Sequence, residues 1–145
     1  MLFRSSLPLL LAFALISFTS CSKKNKSDVT PPPPVEEEAL KFEVPEIQVG
    51  KYNIAMDSTY TFKVNVTSRM PEKGVRVELN VATDPAGIPL GQTEIPDTKE
   101  KTFSITLRHL KELKPYKVTV TLSSLGNTAN ISTPTEFFIT NKKSL

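Results

Sequence analysis

Residues 116–122 read YKVTVTL, and the alternation in that stretch decides the fold. Tyr116, Val118, Val120 and Leu122 fall on one face of an extended chain, and Lys117, Thr119 and Thr121 on the other. A period of two with β-branched residues is the pattern of a half-buried strand. Working outward, TYTFKVNVTS (59–68) places Tyr60, Phe62, Val64 and Val66 together. GVRVELNV (74–81) does so with Val75, Val77, Leu79 and Val81, and TFSITL (102–107) with Phe103, Ile105 and Leu107. Strands that are polar on one side must bury the other, and no clear helical pattern is present to cover them. Their partner is therefore a second sheet, which predicts an all-β sandwich.

Three further segments complete the set of strands. FEVPEIQV (42–49) and GIPLGQTEI (87–95) each contain a proline, which cannot donate to a ladder, so they are expected at sheet edges. TEFFIT (135–140) supplies a last strand. The leucines of LRHLKELK (107–114) are three apart and predict a single helical turn in a crossover. Seven short strands in about 100 residues are the sequence pattern of one immunoglobulin-like domain, here expected over 42–141.

LKELKPYKVTVTLSSLGN (110–127) resembles the corner between the fifth and sixth strands of fibronectin type III and related immunoglobulin-like domains. The resemblance implies an antiparallel sandwich with a tyrosine corner. Leu113 packs under the corner, Pro115 turns the chain, and the Tyr116 hydroxyl bonds back to backbone a few residues upstream. Proline and tyrosine are adjacent here, Val118 stands where antibody-type domains carry cysteine, and the chain has no tryptophan.

The front of the chain reads differently. Arg4 is followed by LPLLLAFALISF (7–18), then Thr19, Ser20 and Cys21, the only cysteine. A basic flank, a short apolar run and small residues are the layout of a secretory signal peptide, since a membrane span needs about 20 apolar residues. FTSC (18–21) resembles the lipobox of bacterial lipoproteins, with Phe18 where leucine is usual. That resemblance implies cleavage between Ser20 and Cys21, removal of residues 1–20, and diacylation of the Cys21 sulfur with N-acylation. Ser22 in place of aspartate then implies the outer membrane, facing the periplasm or the surface. The alternative for Cys21 is a free thiol in another exported protein.

Residues 21–41 include SKKNKSDVTPPPPVEEEALK, with prolines from Pro31 to Pro34 and acids from Glu36 to Glu38. Four prolines favour an extended spacer of about 3.1 Å per residue, so this segment is expected to be a flexible tether. The proline run is also a possible ligand for SH3-like grooves. Lys23, Lys24 and Lys26 lie beside the anchor, where they serve either as membrane contacts or as solvated charges. Residues 142–145 form a short basic tail.

Chemistry-bearing residues are sparse. There is one histidine, His109, in a charged segment, and no phosphate loop or nucleophile elbow, so neither an enzyme nor a cofactor site is expected. No transition-metal site is expected either, and a calcium site would need Asp57, Asp84 and Asp97 to converge from separate turns. The charge balance, 18 Lys and Arg against 15 Asp and Glu, is too mixed for nucleic acid. Asn65 and Asn130 head N-x-S/T triplets. Asp57-Ser58-Thr59 resembles the O-glycosylation acceptor of some Gram-negative envelopes, which implies a modified Ser58.

Two classes of function remain. One is a lipid-anchored, non-catalytic module that contacts another envelope protein through a sheet edge or a loop cluster, or gives structural support. The other is glycan capture on exposed rings such as Tyr52 or Tyr60, or an inhibitor-type loop such as TDPAGIPLGQ (83–92). An exposed aromatic pair marks the glycan reader, and an apolar patch or an unguarded edge marks the protein reader.

Overall fold

Alternation carries residues Pro115–Ser124 into a ten-residue strand that pairs antiparallel on both sides, with Val75–Thr83 and with Thr135–Asn141. The computed structural model describes residues 36–142. Within them the strands are β1 (Phe42–Glu43), β2 (Tyr52–Ala55), β3 (Tyr60–Val66), β4 (Val75–Thr83), β5 (Thr102–Leu107), β6 (Pro115–Ser124) and β7 (Thr135–Asn141). The segments read as signal peptide and lipobox, with Ser20 and Cys21, as well as Pro31–Pro34 and most of the tail expected after 141, lie outside the described residues.

One sheet has the order β1-β3-β5 and the other β2-β7-β6-β4, which is an immunoglobulin-like sandwich. Every strand pair is antiparallel except β2 with β7, so the sandwich is mixed rather than purely antiparallel. Phe62 of β3 meets Phe137 of β7 edge to face between the sheets, ring centroids 5.2 Å apart. Around them Tyr116, Ile105, Leu107, Leu110, Leu122 and Ile139 are fully buried. Each such apolar side chain contributes roughly 1.5–3 kcal/mol by leaving water.

Several expectations are corrected. GIPLGQTEI forms no strand. It lies beside β4 through a single bridge, Ala82 with Pro89, because Pro89 cannot donate to a ladder. The strand that takes its place in the count is β2, whose sequence YNIA carries no long alternation. LRHLKELK is not a helical turn: His109 and Leu113 adopt positive φ angles of 63° and 57°, which break any helical path. Leu113 does not pack under the corner. It is 76% exposed, and Leu110, 1% exposed, fills the core there instead.

The tether also ends earlier than residue 41. Leu40 is buried in the core cluster, and its N–H donates to Asn130 Oδ1 at 2.9 Å. Asn130 Nδ2 donates to the Glu38 carbonyl and to Glu37 Oε2 at 2.9 and 3.1 Å. Asn130 thus fastens the incoming chain to the sandwich.

Candidate functional site

The candidate site is the open edge of the four-stranded sheet, and local hydrogen bonding explains how β2 is delivered there. Asn53, 7% exposed, accepts the Gln48 N–H on Oδ1 at 2.9 Å and donates Nδ2 to the carbonyls of Gln48 and Phe138. Gly50 takes φ +79° in the turn just before, a conformation that favours glycine. One buried amide therefore ties the entering turn to β7 and fixes which β2 residues face inward.

The alternate residues face out. Tyr52 is 52% exposed, Ile54 45%, and Met56, just past the strand, 66%. Tyr52 lies against the half-buried Phe138 of β7, with ring centroids 5.5 Å apart and planes tilted 48°. Its hydroxyl donates to Asp84 Oδ2 at 2.8 Å, and that carboxylate raises the phenol above its ordinary pKa. Beside Phe138 on the same face, Lys117 pairs with Glu136 at 2.9 Å.

The far end of β2 leads into a bend. Asp57 Oδ1 accepts both the Thr59 N–H at 2.6 Å and the Thr59 hydroxyl at 2.7 Å. These bonds stabilise the carboxylate and hold its pKa below the usual range. Ser58 is exposed between them, and its carbonyl accepts the Leu110 N–H at 2.9 Å. Met56, Ser58, Leu110, Lys111, Glu112 and Asn141 contribute to a shallow open cavity of about 450 Å³.

The corner beside this bend is fixed by Tyr116. The Lys111 N–H donates to its hydroxyl at 2.9 Å, five residues upstream, while the ring is buried. Leu113 donates its N–H to the Asn141 carbonyl, which helps hold its side chain outward.

The remaining candidate residues are dispersed. His109 is exposed at positive φ. Asp57 binds Thr59 in the bend after β2, Asp84 receives Tyr52, and Asp97 pairs with Arg76 Nε at 3.1 Å, so the three aspartates serve separate local contacts. Among the described residues no group of His, Cys, Asp and Glu converges as a metal site would require. Asn65 donates to Glu43 within the β1–β3 pair, and Asn130 is occupied with the chain entry. Tyr60 is half-buried and its phenol is raised, first by burial and then by Glu46.

Sequence reading named Tyr52 only as a candidate ring. It missed Ile54 and Met56 because exposure at a sheet edge depends on which strand ends the sheet, and strand order is not a local property. Comparison with known proteins finds no matching family model, curated protein or solved structure.

Proposed function

We propose that this chain is a lipid-anchored protein of the bacterial cell envelope whose immunoglobulin-like module docks another protein without catalysis. The observation that carries the docking reading is the row of exposed apolar side chains, Tyr52, Ile54 and Met56, on a strand that ends its sheet. Edge strands are ordinarily guarded by charge, proline or a covering segment, so an apolar open edge is a surface for pairing. The anchor rests on the sequence alone, on FTSC at 18–21 and the apolar run before it.

Two measurements test this. Intact mass and detergent partitioning of the chain from its native membrane, with Cys21→Ala as control, test the anchor. Residues 21–145 plus acyl chains are expected, lost on substitution, and an unlipidated mass overturns it. A photo-reactive side chain at position 54 tests docking in the same membrane: a protein adduct is expected, and its absence overturns the docking reading.

A second reading, glycan binding, is favoured by the Tyr52–Phe138 pair. A tilt of 48° with one ring half-buried makes a poor flat platform for a sugar, and loss of glycan binding in Tyr52→Ala is its test. The exposure of Ser58 supports its modification as an O-glycosylation acceptor, read as a mass difference lost in Ser58→Ala.

A further inference from the structure

The backbone of β2 adds to what its side chains present. The Lys142 N–H donates to the Ala55 carbonyl at 2.9 Å, so Ala55 turns its polar groups toward β7. Successive residues of a strand turn theirs to opposite sides, so Ile54 directs its N–H and C=O to the open edge, and so does Tyr52 two residues before it. Outward backbone groups and outward-facing apolar side chains therefore belong to the same residues. The nearest charges along the chain are Lys51 and Asp57, one three positions before Ile54 and the other three after. Neither forms an ion pair among the described residues.

We propose that β2 pairs antiparallel with β2 of a second copy of this chain, about a twofold axis at Ile54. This deepens the docking reading above, on which it rests, by naming the partner. In this register Ile54 faces its own counterpart once, on the axis, while Tyr52 faces Met56, Asn53 faces Ala55 and Lys51 faces Asp57, each of these three pairs occurring twice. Opposite residues in such a ladder lie about 5 Å apart, close enough for apolar and charge pairs to form. Sliding by two residues preserves the backbone match but sets Lys51 against Ala55 or Thr59 and loses both charge pairs. The charges therefore select the register, and the isologous arrangement closes as a dimer instead of growing into a fibre. The two four-stranded sheets become one continuous sheet. The contact spans only a few residues per copy, which belongs to the weak class of interface below about 1,200 Å².

The charge pattern supplies the test. Lys51→Glu alone sets two acidic pairs against each other, and Asp57→Lys alone sets two basic pairs. A heterodimer of the two variants has both pairs attractive. Sedimentation of the full chain in detergent, over a concentration series, is expected to show a monomer–dimer equilibrium for wild type. Each variant alone is expected to lose dimer at least tenfold, and an equimolar mixture to regain it. Ile54→Lys, a change on an exposed side chain that places two cations on the axis, is expected to abolish the dimer and decides the matter if Asp57→Lys does not fold. A wild type that stays monomeric overturns the proposal, as does a dimer indifferent to these changes or a mixture that is not rescued. The photo-adduct at position 54 separates this failure from failure of the docking reading. An adduct of twice the chain's mass supports self-pairing, whereas one with a different polypeptide overturns self-pairing and leaves docking standing.

Discussion

The two edges of the four-stranded sheet are treated in opposite ways. The β4 edge is nine residues long and is covered by the segment that follows it. Thr83 N–H donates to the Ile88 carbonyl, Leu90 N–H to Val81, and Val75 and Thr98 exchange bonds of 2.8 and 3.0 Å. Arg76 clasps both oxygens of Asp97 at 3.1 Å, and the cover contains Pro85, Pro89 and Pro96. The β2 edge has four residues, no proline, no charge within the strand and, among the described residues, no covering segment. Shortness alone does not explain the contrast, because the two-residue β1 carries Glu43 and is followed closely by Pro45. A fold that covers the β4 edge and, among the described residues, leaves the apolar β2 edge bare has an edge suited to a partner.

The largest expected effect comes from breaking the guarded side. Gly74 adopts φ +95°, and a Cβ there would stand 2.5 Å from the Thr98 carbonyl oxygen. That oxygen accepts the Val75 N–H, so the backbone has no room to yield without losing the cover. Gly74→Ala is expected to cost about 3 kcal/mol, combining overpacking with a strained backbone. Urea denaturation checks it, and an unchanged midpoint would show that the cover is loosely held.

On the other side, the corner next to β2 depends on one hydroxyl. Tyr116→Phe leaves the ring in place but removes the acceptor for the Lys111 N–H. A part-buried donor without a partner costs about 1–2 kcal/mol. Protection of the Lys111 amide against hydrogen exchange should fall with it, and retention of both stability and protection would exclude this bond as the pin of the corner.

How much of this contrast the sequence could carry depends on the range of the interactions involved. Strands β3 to β6 were legible because their apolar residues, Phe62, Val64, Val118 and Val120 among them, alternate with polar neighbours over six residues or more, and burial of one face imposes that pattern locally. β2 was not, since its four residues owe their strand state to parallel pairing with β7 some 85 positions away, as the Asn53–Phe138 bond illustrates. Leu110 and Leu113 exchange roles for a similar reason: two left-handed residues reset the phase that leucine spacing implied. Leu40 looked like tether because what ties it and its neighbours down, Thr67, Ser68 and Arg69 together with Asn130 90 residues on, is distant in sequence. The open edge is the least legible feature, since it follows from strand order, which emerges only when both sheets are assembled.

The smallest effects distinguish how the two sides hold their acids. Asp97 has a depressed pKa chiefly because Arg76 bonds and faces it, and Asp57 because Thr59 donates twice to it. In both cases the folded state binds the proton more weakly than the unfolded one. Each contribution to stability is therefore complete above the ordinary carboxylate pKa of about 3.9 and is lost as pH falls through the lower folded value. The causes differ, and so do the expected responses to salt. An exposed charge pair is screened, so the acid-dependent step from Asp97 should shrink at high ionic strength and vanish in Arg76→Ala. Hydrogen bonds from a neutral hydroxyl and an amide are much less sensitive, so the step from Asp57 should persist in salt and weaken in Thr59→Val, which keeps the amide donor but loses the hydroxyl. Site-resolved carboxyl titration by NMR checks both. If Asp57 responds to salt as Asp97 does, its low pKa comes from charges elsewhere on the surface, and the β2 end is held by electrostatics in the same manner as the β4 cover.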